Sequence, residues 1–144
     1  ITVRKATGDT TIASIPSGVL TVRRLFYKAS SDASGGSTRN FYEKVFLQNN
    51  HGTLSLLSAQ ILESADPSGK ITFALANSVN DTESVANRFT SPSSVSSFDS
   101  TAKNVPGTDL AAGSKIGIWL RLTLSAGDAA ATTTYTVGVT GESA

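Results

Sequence analysis

His51 is the sole histidine of the 144-residue chain, so any scheme that uses an imidazole as general base must run through it. It stands in the tetrad Asn49-Asn50-His51-Gly52, whose turn chemistry already accounts for its presence, and no G-x-S-x-G elbow accompanies it. Asp81 and Glu83, beside Asn77 and Asn80, are oxygen donors of the kind calcium prefers. The alternating ligands, central glycine and terminal glutamate of a calcium loop do not fit Ala76 to Glu83, however, and capping and loop hydrogen bonding explain the group. Paired carboxylates can hydrolyse glycosides, but the acidic residues lie mainly in or beside turns, where water rather than an apolar pocket surrounds them. Asn80-Asp81-Thr82 fits the N-glycosylation acceptor pattern, which has physical meaning only in a eukaryotic secreted protein. The glycine pairs do not sit between a strand and a helix, so no phosphate cradle is implied. The expectation is a chain that is not an enzyme, with no catalytic, cofactor-binding or metal-binding residues and no cofactor.

The residues that stand out are of another kind. Trp119 lies in the alternating segment Lys115 to Leu124, on the face opposite Ile118 and Leu120, in the company of Lys115, Gly117, Arg121 and Thr123. An indole on an otherwise polar face needs cover. A loop such as Ser91 to Pro106, or the chain's own terminus, can supply it; a subunit contact or a sugar ring stacked on the indole is the functional alternative. Arg23, Arg24 and Arg121 are also unusual within strands, because a charge on a sheet must reach water or a partner. They either guard an edge against strand addition or belong to a subunit interface, and the candidate interface is therefore Trp119, Arg121, Arg23 and Arg24.

The elements that must position these side chains are short alternating segments bounded by Gly, Pro, Asn and Asp, the pattern of an all-β antiparallel sandwich of about seven or eight strands in a single domain spanning 1–144. The first candidates are Ile1 to Lys5 and Thr10 to Ile15 around Thr7-Gly8-Asp9, ending at Pro16, then Val19 to Lys28 and a small polar loop from Ser30 to Asn40. Phe41 to Gln48 is apolar on both faces, as in a central or covered strand. Asn49-Asn50-His51-Gly52 reads as a hairpin connection into Thr53 to Glu63, where a change of phase predicts a bulge near Leu56-Leu57. Asp66-Pro67-Ser68-Gly69 reads as a second hairpin turn, after which Ile71, Phe73 and Leu75 face inward. Asn80 with Glu83 fits a capping box that would start one helical turn over Thr82 to Arg88, before a Ser-rich run from Ser91 to Ser100. Ile116, Ile118, Leu120, Leu122 and Leu124 form the longest apolar face, and Tyr135, Val137 and Val139 form another; both strands are expected in the core.

Composition agrees with this reading. Cysteine is absent, so apolar packing and ladder hydrogen bonds must hold the fold. Ser and Thr are abundant and strong helix formers sparse. Twelve basic and eleven acidic residues are scattered along the chain, for a net charge of +1, which leaves no electrostatic footprint for a nucleic acid. No apolar run is long enough to span a bilayer, so no membrane partner is expected. Methionine is also absent and the chain begins at Ile1, which suggests a product that starts earlier and is trimmed, or a numbering that starts inside it.

The stretch Asp109 to Glu142 carries Leu110-Ala111-Ala112-Gly113-Ser114-Lys115-Ile116-Gly117-Ile118-Trp119-Leu120-Arg121-Leu122-Thr123, then Leu124-Ser125-Ala126-Gly127-Asp128-Ala129-Ala130 and Tyr135-Thr136-Val137-Gly138-Val139. It resembles the β-sandwich structural proteins of tailed-bacteriophage virions, and so does Phe41 to Asn50. The resemblance covers about half of the chain. It implies an Ig-like or jelly-roll module that decorates a capsid or builds a neck, tail or fibre. Its location would be the virion, its partners other virion proteins and copies of itself in a symmetric homo-oligomer, and its function would lie in subunit contacts. The alternative is a carbohydrate-binding module or receptor-binding adhesin, in which Trp119, Tyr27 or Tyr42 stacks on a surface glycan.

Overall fold

The computed structural model describes residues 2–5, 11–14, 25–27, 29, 36–128 and 133–143. Their regular elements are strands: β1 (Thr2–Lys5), β2 (Thr11–Ser14), β3 (Arg39–Gln48), β4 (Leu56–Ala65), β5 (Ile71–Leu75), β6 (Lys103–Asn104), β7 (Lys115–Leu124) and β8 (Thr136–Ser143). All pairings are antiparallel, in two sheets. One is centred on β3, β7 and β5 and extended by β1 and β2, in the order β2-β1-β3-β7-β5; the other runs β6-β4-β8.

The long strands form where the alternation is strongest. In β7 the even positions Ile116, Ile118, Leu120, Leu122 and Leu124 are all buried in one apolar cluster. They meet Phe41, Val45 and Leu47 of β3 on one side and Ile71, Phe73 and Leu75 of β5 on the other. Ala59 and Ile61 of β4, with Val137 and Val139 of β8 packed against them, supply the same cluster from the second sheet, and Val105 and Leu110 close it from the segment between β6 and β7. Burial of each such side chain contributes roughly 1.5–3 kcal/mol, so this cluster, rather than any local propensity, makes the strands persist.

From β3 onward, successive strands alternate between the two sheets. This overturns two expected hairpins. The Asn49-Asn50-His51-Gly52 tetrad does turn the chain, but β3 and β4 do not pair, because β4 joins the other sheet. At this crossing Asn49 is buried and donates through Nδ2 to the carbonyls of Leu54 (2.9 Å) and Leu110 (3.0 Å), while its Oδ1 accepts from the His51 N–H at 3.0 Å. His51 Nδ1 in turn accepts from the N–H groups of Thr53 and Leu54 at 3.1 and 2.8 Å. These bonds fold the segment on itself and aim it at the second sheet. Asn49→Ala leaves the carbonyls unmet and is expected to lower stability by about 2 kcal/mol, read as a lower midpoint in urea unfolding.

Asp66-Pro67-Ser68-Gly69 behaves likewise. Its turn geometry is as expected, with the Gly69 N–H bonded to Asp66 O at 3.1 Å and Gly69 at φ 64°, a value that suits a residue without Cβ. Yet β4 and β5 lie in different sheets, so the turn is a crossing and not a hairpin. Asp66 also accepts the Ile71 N–H at 3.0 Å, which fixes the turn to the start of β5. The predicted bulge is present one step further on, as a register shift between Leu57 and Gln60, with Ser58 at φ 51° and its N–H held by Asp109 Oδ1 at 2.9 Å. Of the two C-terminal strands expected in the core, β7 lies between β3 and β5, whereas β8 is an edge strand whose last residues are exposed. The polar loop expected to run through Asn40 ends earlier, since β3 takes in Arg39 and Asn40. The turn at Thr7-Gly8-Asp9, most of the strand from Val19 to Lys28, and Arg23 and Arg24 lie outside the described residues; Leu25–Tyr27 form a turn.

Candidate functional site

The face of the five-stranded sheet turned away from the main cluster carries Tyr42, Lys44, Phe46 and Gln48 of β3, Lys115, Gly117, Trp119, Arg121 and Thr123 of β7, and Thr72 and Ala74 of β5. Register aligns Tyr42 with Arg121 and Lys44 with Trp119. Trp119, Arg121 and Lys44 converge here, because the irregular segment between β5 and β6 crosses this face and closes it.

Trp119 is 1% exposed and packs with Ala74 and Val95, flanked by Val85 and Phe98 of the crossing segment. Its cover is therefore intramolecular, from the Ser-rich loop. Within this chain a partner at this place meets the loop and not the indole. Arg121 lies on the same face. Its guanidinium sits 5.1 Å from the centroid of Phe98, and its Nη2 donates to Phe98 O at 3.4 Å. Phe98 also meets Tyr42 edge-on, with ring centroids 5.6 Å apart. Arg121 thus helps to dock the loop.

Lys44 is the feature that the sequence did not single out. Its side chain is 1% exposed, yet its Nζ reaches Asp81 Oδ2 at 2.7 Å and Glu83 O at 2.8 Å, with the rings of Trp119 and Phe46 each 5.0 Å away. A buried ammonium is tolerated only with such partners. Gly117 makes room for it: a Cβ there would come within 2.4 Å of Lys44 Cε and 3.2 Å of Ala76 Cβ. The signal available in the sequence was a lysine centred in a strand apolar on both faces, together with a glycine in the facing strand.

Asn77, Asn80 and Glu83 fasten the loop through hydrogen bonds. Asn80 accepts the Lys115 N–H on Oδ1 at 3.0 Å and bonds its own N–H to Lys115 O at 2.8 Å, pinning the loop to the start of β7. Asn77 Nδ2 donates to Ser94 O at 2.6 Å. Glu83 accepts the Ser93 N–H and hydroxyl at 2.7 and 2.8 Å, and the Ser94 N–H and hydroxyl as well. The expected helical turn over Thr82 to Arg88 does not form. Asn80 sits at φ 61° with its side chain committed to β7, and Glu83 reaches forward to the serines instead of back to the Asn80 N–H, so the capping box has neither half. Asp99 holds Thr101 and Lys103, and through its backbone pairs with Phe73 at the edge of β5. Glu43 meets Arg88 at 3.5 Å.

Burial alone would raise the Glu83 carboxyl, but the hydrogen bonds from Ser94 and Ser93 hold its pKa down at about 2, against an ordinary 4.5. A pKa depressed by folding stabilises the folded form above the unfolded value and loses that contribution as pH falls through the folded one. The loop clamp is therefore fully present above pH 4.5 and released toward pH 2. Trp119 emission should shift to the red within that window, and Glu83→Gln should show a red-shifted, weaker clamp already at neutral pH. Asp99, held to about 2 chiefly by the Lys103 and Thr101 hydrogen bonds, titrates beside it, which makes the Glu83→Gln comparison the discriminating measurement.

Of the aromatic residues considered for sugar stacking, Trp119 and Tyr42 are buried and Tyr27 is half exposed. Among the described residues no group of three or more His, Cys, Asp or Glu could hold a metal ion, and no helix is long and apolar enough to cross a membrane. Comparison of the chain with protein-family models, with curated proteins and with solved structures finds no match.

Proposed function

We propose that this chain is a non-enzymatic structural component of a larger assembly, acting through protein-protein contacts, and that the assembly is a phage virion in which it serves as a capsid decoration, neck, tail or fibre protein. The carrying observation is how its reactive side chains are used. Asp66, Asp81, Glu83, Asp99 and His51 are each engaged in hydrogen bonds that fasten a turn or a loop to the sheets. Such a chain is built to hold a shape, and its outer surface does the work. The alternation of strands between two sheets around one shared apolar cluster supports an antiparallel sandwich of jelly-roll or Ig-like kind. The virion assignment rests on the sequence resemblance in Asp109 to Glu142. Chemical cross-linking of the chain within purified particles, followed by mass spectrometry, tests it. Cross-links to coat, neck or tail proteins are expected, and a chain that contacts no particle protein overturns the reading.

A further inference from the structure

β8 is an eight-residue strand at the end of the three-stranded sheet; β4 pairs with one side of it, and among the described residues no backbone bond reaches the other side. The direction of its backbone groups follows from β4. The Ala59 N–H bonds to Thr108 O at 2.7 Å and Ala59 O accepts the Val105 N–H at 2.9 Å, so Ala59 directs both peptide groups away from β8. Those groups alternate along a strand. Gln60 and Leu62 therefore turn theirs toward β8, where they face Thr140 and Gly138. Val137, Val139 and Gly141, the intervening residues of β8, point their N–H and C=O groups outward from the sheet.

The other described edges are guarded or short: β6 has two residues, β2 has four, and β5 is bridged at Phe73 by Asp99. β8 contains no Lys, Arg or Pro, and its sole charged residue is Glu142. We propose that β8 is a homotypic contact, at which a second copy of the chain adds its own β8 antiparallel about a two-fold axis through Val139. This deepens the assembly reading and rests on it, by naming the surface and the partner. Centring on Val139 sets it against its counterpart, Val137 against Gly141 and Thr136 against Glu142. Outward backbone groups then meet outward groups, each residue keeps its own face of the sheet, and the carboxylate lies against a hydroxyl instead of its copy. Self-complementarity in register, face and charge is what favours a second copy over a foreign peptide.

Sedimentation equilibrium of the full chain over a concentration series tests the contact, with Thr140→Lys and Thr140→Glu as probes. Thr140 is exposed on the outer face, and the two copies would sit diagonally, about 7–8 Å apart, within the screening length of roughly 8 Å in physiological salt. The unaltered chain is expected to dimerise, each variant alone to dimerise about two- to fivefold more weakly, and an equimolar mixture of the two to recover the affinity. Val139→Pro, which removes an outward N–H and leaves the β4 ladder intact, should weaken the dimer with an unchanged far-UV circular dichroism spectrum. A chain that sediments as a monomer throughout, or variants that dimerise as tightly as the unaltered chain, overturns this contact. Either result leaves the assembly reading to its own cross-linking test.

Discussion

Asp81→Ala is expected to destabilise the chain by about 3 kcal/mol, whereas Lys44→Met at the other end of the same ion pair should change stability by less than about 1 kcal/mol. The asymmetry follows from burial. Lys44 is 1% exposed on its side chain and Asp81 18%, so removing the carboxylate leaves an ammonium enclosed by Trp119, Phe46 and the loop, with a single carbonyl for company. Removing the lysine instead leaves a carboxylate that can turn to water, and methionine fills the vacated channel above Gly117. The double variant Lys44→Met with Asp81→Ala should then be more stable than Asp81→Ala alone by about 2 kcal/mol, a recovery larger than the effect of Lys44→Met by itself and therefore non-additive. Equilibrium urea unfolding of the four proteins gives the cycle directly. Equal losses for both single variants would show that the pair acts as a surface bridge and that the loop is held by other means.

Trp119→Ala should lower stability by about 3–5 kcal/mol, among the largest effects of any single change in the chain. The indole is the largest fully buried side chain and sits between Lys44, Ala74 and the loop residues Val95 and Phe98. Its removal takes away both one of the two aromatic rings that face the Lys44 ammonium and the platform on which the loop rests. A fingerprint separates this from loss of an ordinary core residue. Hydrogen exchange should accelerate in Glu83 to Ser100 more than in β4 and β8, which belong to the other sheet. Phe73→Ala, from the main cluster, should carry a similar loss but spread it over both sheets. If Trp119→Ala left the loop as protected as before, the loop would owe its place to its polar fastenings rather than to the indole.

Both predictions concern a face that was only half legible in the sequence. The period of two from Lys115 to Leu124 was sufficient to put Trp119 and Arg121 together on the side opposite Ile118 and Leu120, and to require cover for the indole. The acceptor identities were not legible. Nothing local to Lys44 points to Asp81, since the two meet only because a long irregular segment crosses the sheet, at a distance in the chain where side-chain spacing carries no signal. The helical turn expected from Asn80 and Glu83 failed for the same reason. Capping is a local contest, and here distant partners, the start of β7 and the serines at 93 and 94, offered both side chains better bonds.

The residues alone determined the class of the fold and the sides of its strands, because alternation along an extended chain is a property of each segment and hydrophobic burial acts on every segment in the same way. They also placed the tight turns, since Asp66, Gly69 and the Asn49 tetrad are dictated by local backbone preference. What the tertiary structure decided was which strands those turns join. A turn brings the chain around within a few residues, but whether the next strand pairs with the last or crosses to the other sheet depends on where its apolar face finds the largest common core. That choice sent β4 and β8 away from their predecessors, left the outer edge of β8 unpaired among the described residues, and folded a serine-rich loop over the single tryptophan.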